Sequence, residues 1–185
     1  SIKDVDVTEE GVPFLVMEYL QGTTLRQCLT DLPGSGLPLN QAVNIIMQTA
    51  EAMRYVHQAG IIHRDIKPDN IQLTVNNERT VFVKVFDFGI ARVQQEIGVT
   101  STQKPPPSTL AYAAPEMHIS ADYLNPAIDV YALGVTLFET ITKERPFAGT
   151  GIEVVWSHMK ATPRKLGQLR TDVKIPAQLA ELTEQ

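Results

Sequence analysis

Residues 61–71 read IIHRDIKPDNI, and this stretch constrains the fold more than any other. Four of its eleven side chains carry formal charge (Arg64, Asp65, Lys67 and Asp69), yet apolar residues bracket it on both sides. Upstream lies the clearest helix, about 40–59. There Leu39, Val43, Ile46, Ala50 and Met53 recur at spacings of 4, 3, 4 and 3 and so line one face. Asn40 can cap its start, and Gly60 stands where a left-handed stop belongs. Downstream, IQLTV (71–75) and TVFVKVF (80–86) flank the turn-like NNER and read as a β-hairpin. The charged run is thus a short loop, stiffened by Pro68, between a helix and a hairpin. A solvated surface loop is the plain reading of it. A site that handles phosphate and metal is the sharper one.

The remaining chain supplies the surroundings. VPFLVMEYL (12–20) is short and apolar and reads as a buried strand. Gly22 ends it, TTLRQCLTDL (23–32) reads as a short helix with a Thr cap, and PGSGLP (33–38) is a loop. Residues 87–125 read as mostly irregular, with KPPPST (104–109) breaking regular structure. NPAIDVYALGVTLFETIT (125–142) starts at an Asn cap followed by proline, with Val130, Leu133, Leu137 and Ile141 on one face. GIEVVWSHMK (151–160) and IPAQLAELTEQ (175–185) read as further helices. Met47, Met53 and Trp156 are read as packing residues and Cys28 as a small one. His57, His118 and His158 are read as surface or locally hydrogen-bonded groups. The chain opens close to a strand and stops within a helix, so both ends read as cut.

The totals exclude several function classes. At 185 residues the chain can build one domain with a core. A formal net charge of -5 argues against nucleic acid as the main partner, which calls for a basic face. A single cysteine, Cys28, allows no internal disulfide and fits a reducing compartment. No apolar run reaches the ~18 residues that span a bilayer, and the polar opening SIKDVDVTEE is no signal peptide. A cytoplasmic location follows for this chain, although a parent protein could be membrane-anchored. Nothing in the sequence sets an oligomeric state.

The chemistry lies in Asp65, Lys67, Asn70 and Asp87. Magnesium takes hard oxygen ligands and often only one or two carboxylates beside substrate phosphate. Asp87 ends a strand in VFDFG, where Gly89 allows a sharp turn. Asn70 offers a neutral carbonyl oxygen, Asp65 can accept a proton from a hydroxyl, and Lys67 can neutralise charge on a moving phosphoryl group. Phosphoryl transfer needs positioning and charge stabilisation more than covalent help.

HRDIKPDN (63–70), DFG (87–89), APE (114–116), DVYALGVTLFE (129–139) and FLVMEYLQGTTL (14–25) occur in one order along the chain. Together they resemble the catalytic loop, magnesium motif, activation-segment end, central helix and hinge of eukaryotic-type serine/threonine protein kinases of the bacterial sort. The resemblance implies an α+β fold: a mostly helical large lobe (21–185) with a hinge and a remnant of the small-lobe sheet (1–20). It implies ATP and Mg2+ as cofactors and proteins with Ser or Thr hydroxyls as substrates. It gives Asp65, Lys67 and Asn70 catalytic roles, with Asp65 as base and Lys67 on the γ-phosphate. Asn70 and Asp87 would hold the metal. Met17 would be the gatekeeper, the backbones of Glu18 and Leu20 would bond adenine, and Leu73 would lie beneath the ring. By the same likeness His63 stacks on Phe88, Thr109 braces the catalytic Asp, and Asp129 braces the loop backbone. Arg64 would receive a phosphate carried by Thr100, Ser101 or Thr102.

The departures matter as much. The Gly-x-Gly at GSG (34–36) lacks a third glycine and follows the hinge, so it is no phosphate cradle. Lys3 is the sole lysine before the hinge and lies too near Met17 to be the family's strand lysine. Ser108 stands where the family usually has glycine. The 185-residue chain is therefore expected to be inactive alone, as a fragment of an active parent. The alternative is a pseudokinase or truncated regulatory module that binds without catalysing.

Overall fold

The structure is a computed structural model that describes residues 2–78, 80–88, 107–119 and 125–184. Strands β1 (Ile2–Val7) and β2 (Pro13–Met17) open the chain as an antiparallel pair, with Val7 opposite Pro13 and Asp4 opposite Val16. β2 is the strand expected over 12–20, but its Phe14, Val16 and Met17 side chains are not buried, Met17 being 48% exposed. Among the described residues β1 is its sole partner strand, and two strands make no closed apolar layer.

A second sheet has the order β3 (Thr23–Thr24), β4 (Ile71–Val75), β5 (Val81–Val85), all antiparallel. The expected hairpin is β4–β5. Asn76 closes it, its Oδ1 accepting from the Glu78 and Thr80 amides at 3.0 and 2.8 Å. Gln48 seals the outer edge of β5, donating to Val81 O at 2.9 Å and accepting from Val83 N at 3.1 Å.

Helix α1 (Leu25–Asp31) starts at the expected Thr cap: Thr24 Oγ1 accepts from Gln27 N at 3.1 Å. Helix α2 (Leu39–Gln58) follows, and Gly60 ends it at φ +74°. Two expectations for α2 need correction. Pro38, not Asn40, is its N-terminal cap residue, and the buried stripe is Ala42, Ile45, Thr49 and Met53. Ala50 and Met47 are exposed. The stripe turned because Thr49 is polar by type yet buried in fact: its hydroxyl donates to Ile45 O at 2.8 Å and needs no other partner.

Beyond the hairpin come α3 (Pro107–Leu110), a single turn inside the stretch expected to be irregular, and a 3-10 turn at Pro115–His118. Pro107 opens α3, the helical position that tolerates proline. The central helix is α4 (Ala127–Thr142), with α5 (Ile152–Lys160), α6 (Leu166–Leu169) and α7 (Ala177–Glu184) packed around its far side. Asn125 Oδ1 accepts from Ala127 N at 2.8 Å, the cap the sequence suggested. Most of α4 is buried, so one stripe understates it; Val130, assigned to that stripe, is exposed. Thr136, Thr140 and Thr142 turn their hydroxyls back to the carbonyls four residues earlier, which lets polar residues sit inside.

Two apolar clusters meet along α4. One joins Leu25, Leu29, Ala42, Ile45, Ile71 and Leu73 to Leu137, Phe138 and Ile141. The other joins Met53, Ile66, Tyr112, Leu133, Val135, Phe147 and Val154. The charged loop of residues 61–70 leaves α2 at Gly60 and enters β4 at Ile71, with Ile66 in the second cluster and Ile71 in the first. No helix of the described residues is long and apolar enough to cross a membrane.

Candidate functional site

The loop backbone is held from below by one carboxylate. Asp129, in the first turn of α4 and 1% exposed, accepts His63 N at Oδ2 (2.9 Å) and Arg64 N at Oδ1 (2.8 Å). Asp129 Oδ2 also meets His57 Nε2 from α2 at 2.8 Å. These bonds stand under Arg64 at φ +68°, a left-handed conformation costly for a side chain of this size. Asp129 thus does what the sequence expected of it, with His57 as a partner that the sequence reading gave only a local role.

His63 turns the loop upward. It is fully buried, and its Nε2 meets Phe86 O at 3.1 Å while Nδ1 accepts from Asp65 N at 3.3 Å. Burial pushes its pKa down, which favours the neutral ring that can do both. Its ring lies 4.5 Å from that of Phe88, the stacking the sequence suggested.

Asp65, Lys67 and Asn70 then converge. Lys67 Nζ donates to Asp65 Oδ2 at 2.8 Å and to Thr109 Oγ1 at 3.0 Å. Asn70 Nδ2 donates to Asp65 O at 2.8 Å and to Asp65 Oδ2 at 3.0 Å. Both donors fall on Oδ2. Thr109 therefore reaches Asp65 through the Lys67 ammonium. The Asn70 amide is oriented nitrogen-first toward Asp65, so its carbonyl oxygen faces the other way. Lys67 is only 9% exposed, and such a buried ammonium needs this pairing.

Asp87 follows the strand end. Phe86 N donates to Asn70 O at 3.1 Å, tying the two chain segments side by side one residue away. Asp87 is exposed at φ +57°, and its charge acts on the His63 ring. Gly89, and with it the end of the DFG motif, lies outside the described residues. So do Thr100, Ser101 and Thr102.

Residues 17–22 run beside β4. Met17 ends β2, and Leu20 O and Gln21 O accept from Gln72 Nε2 at 3.4 and 3.3 Å. Thr74 Oγ1 adds a bond to Gln21 O at 2.9 Å. Gly22 passes so close that a Cβ would fall 2.1 Å from Leu73 O. Leu73 is buried beneath this segment. Glu18 points elsewhere, to Lys84 Nζ at 3.1 Å, whose hydrogen bond is the largest of the effects that hold the Glu18 carboxyl down to about 2.

The oxygen donors at Asn70 and Asp87 suit a hard divalent cation, which fits magnesium better than softer metals. The backbone at 18–20 and the apolar Leu73 suit a flat heteroaromatic ring. Arg26 is a residue the sequence reading passed over. It binds Asp69 of the loop and Glu139 of α4. The signal was present: Glu139 is a lone carboxylate in an apolar run, and such a residue needs a cation.

The protein kinase domain family matches residues 3–182 of the chain. Serine/threonine-protein kinase PknB of Mycobacterium leprae is 40% identical over 163 residues, covering 86% of this chain and 25% of that protein. PknB of Mycobacterium tuberculosis (strain H37Rv) is 38% identical over 154 residues, covering 82% and 24%. A solved Mycobacterium tuberculosis PknI kinase domain mutant aligns with a TM-score of 0.70 at 26% identity, over 98% of this chain and 60% of that one. The chain spans about a quarter of the length of the curated relatives it matches.

Proposed function

We propose that this chain, which belongs to the protein kinase domain family, carries the phosphoryl-transfer site of a serine/threonine protein kinase. In this reading residues 21–185 form the large lobe, and residues 1–20 belong to the small-lobe sheet with its hinge. The observation that supports it best is the convergence of Lys67 Nζ and Asn70 Nδ2 on Asp65 Oδ2. Two donors on one oxygen fix the carboxylate plane. Oδ1 is then left to orient a substrate hydroxyl and take its proton.

Each group has one task. Asp65 is the base. Lys67 stands beside it with a charge that stabilises the transferring γ-phosphoryl group. Asn70 and Asp87 would hold magnesium. Bound there, magnesium supplies positive charge to the phosphate oxygens of ATP. Met17, the backbones of Glu18 and Leu20, and Leu73 line the adenine side. Asp129 and His63 hold the loop so that these groups keep their spacing. The substrates are proteins presenting Ser or Thr, and the site is expected to work in the cytoplasm. A scaffold has no chemical need for all of Asp65, Lys67, Asn70 and Asp87, which favours the enzyme over a pseudokinase.

The test is transfer of labelled γ-phosphate by the full-length parent to a Ser/Thr protein. Asp65→Asn should lower kcat by about 10²–10⁴, while a nucleotide-binding assay keeps Mg-ATP affinity within threefold. Full activity in Asp65→Asn sinks the assignment.

A further inference from the structure

Arg26 of α1 has no chemical task assigned to it, yet it gathers groups from three other parts of the fold. From α1 its Nε donates to Asp69 Oδ2 at 3.2 Å, and its Nη1 to Glu139 Oε1 at 2.8 Å. Its Nη2 donates to the Tyr112 hydroxyl and, at 3.3 Å, to Glu139 Oε2. The Tyr112 hydroxyl in turn donates to Glu139 Oε2, closing a ring of three side chains. Glu139 is 5% exposed and Tyr112 4% exposed, whereas Asp69 stands partly open to solvent. Burial, and next to it the Glu139 carboxylate, hold the Tyr112 phenol well above its ordinary range, so it remains an O–H donor.

The placement of the partners gives this ring meaning. Asp69 lies between Lys67 and Asn70 in the 3-10 turn Pro68–Asn70, whose Asn70 N–H bonds Lys67 O at 3.0 Å. Tyr112 belongs to the turn that begins at Thr109, with Tyr112 N bonding Thr109 O at 3.2 Å. Thr109 receives the Lys67 ammonium. The catalytic loop and the segment 109–113 are therefore joined twice: through Lys67 to Thr109, and through Asp69 and Arg26 to Tyr112. The first joint uses a residue that faces the reacting groups. The second uses none. Glu139 fixes the second joint to the central helix, since a carboxylate this deep must keep its cation.

We propose that Arg26 is a positioning residue: its guanidinium clamps the Asp65–Asn70 loop to the Thr109–Ala113 turn and so sets where Lys67 and Asp65 stand for phosphoryl transfer. Lysine is no equivalent, because its donors sit on one nitrogen and lack the planar fork by which Nε, Nη1 and Nη2 span Asp69, Glu139 and Tyr112. The proposal rests on the functional reading above for its consequence in turnover. Its geometric half stands alone, and the test separates the two.

The test uses Arg26→Ala, Arg26→Lys and Tyr112→Phe in the full-length parent protein. Hydrogen exchange is read first, since it needs no activity. In Arg26→Ala the amides of Asn70 and Tyr112 should exchange at least about tenfold faster, while amides in the middle of α2 keep their wild-type rate. Kinetics come second. Arg26→Ala should lower kcat about ten- to a hundredfold with the KM for ATP within twofold, and Arg26→Lys should fall between it and wild type. Guanidinium ion at low millimolar concentration should restore part of the Arg26→Ala rate and leave wild type unchanged. Should Arg26→Ala not fold, Arg26→Lys and Tyr112→Phe carry the same exchange measurement, with a smaller acceleration expected at the same two amides. Unchanged exchange at Asn70 and Tyr112 overturns the clamp. Faster exchange with kcat within twofold of wild type overturns its role in transfer. A wild-type parent that transfers no phosphate sinks the functional reading and leaves the exchange result to decide the clamp.

Discussion

Asp129 is the residue on which the site geometry turns. Two backbone N–H groups and an imidazole share its carboxylate beneath a left-handed Arg64. Replacing Asp129 by alanine strands two N–H donors in a buried place, at about 1–3 kcal/mol each when no water reaches them. Asp129→Ala should therefore lose about 2–4 kcal/mol in urea unfolding, whereas His57→Gln, which keeps a donor, should lose under ~1 kcal/mol. Equal losses would mean that the backbone bonds are not what Asp129 supplies. His158 gives a pH-dependent counterpart. It is buried, meeting Tyr131 OH at 2.6 Å with Nδ1 and Ala111 O at 3.1 Å with Nε2. Burial pushes its pKa down to about 4, from an ordinary value of 6.5. The unfolded chain then binds a proton here between those two pH values and the folded chain does not. Its contribution is full above pH 6.5 and is lost as pH falls toward 4. The difference in stability between wild type and His158→Gln should shrink over that window by up to about 3 kcal/mol, read as urea midpoints across pH. A constant difference would mean that His158 titrates normally. The sequence reading gave His158 a surface or local role. The local bonds exist, but the burial was hidden, since a polar residue type masks an inward position.

At the scale of elements, the convergence within the loop was legible and its supports were only partly so. HRDIKPDN announced Asp65, Lys67 and Asn70 because those residue types serve one kind of reaction, and the structure brings the three together. Helix faces were harder. In α5 the buried residues are Val154, Val155 and His158, which leaves Trp156 on the opposite side at 58% exposed. A tryptophan in a helical run invites a core assignment, yet 100° per residue turns it outward once Val154 and Val155 are fixed inward. The Thr49 case in α2 is similar: a back-bonded hydroxyl packs like an apolar group, and periodicity counted by residue type misses it. The close crossing at Gly22 could not be read either, since a glycine after a strand suggests a stop and says nothing of a neighbour. At φ +109°, with Leu73 O where a Cβ would go, Gly22→Ala must push β4 and the 17–22 segment apart. We expect a loss of about 1–3 kcal/mol and weaker nucleotide binding in the parent protein. Alanine tolerated at wild-type stability would show that the two segments separate freely.

For the whole molecule, the question is what this chain does without other residues around it. In the function proposed above, the groups for proton transfer and metal binding belong to the loop and the strand end at Asp87, but nucleotide phosphates need backbone amides or cations above them as well. The sequence ahead of Met17 holds no Gly-x-Gly-x-x-Gly and one lysine, Lys3. Lys3 is in β1, which runs antiparallel to β2 as its direct partner. The same two-stranded sheet exposes Val5, Val7, Phe14, Val16 and Met17. An open sheet of this kind pairs with other copies or collapses on apolar surface. Three outcomes are expected of the purified 185-residue chain. It should bind Mg-ATP weakly or not at all by calorimetry, and it should transfer no γ-phosphate to a Ser/Thr protein. It should also associate as its concentration rises, by sedimentation velocity, and the double change Val5→Thr with Val7→Lys should reduce that association without altering the 61–71 loop. Robust turnover by the chain alone, abolished in Asp65→Asn, would show that the phosphates need no cradle beyond Lys67 and the metal. A wild-type chain that stays monomeric at high concentration would show that the exposed valines and Phe14 are covered from within.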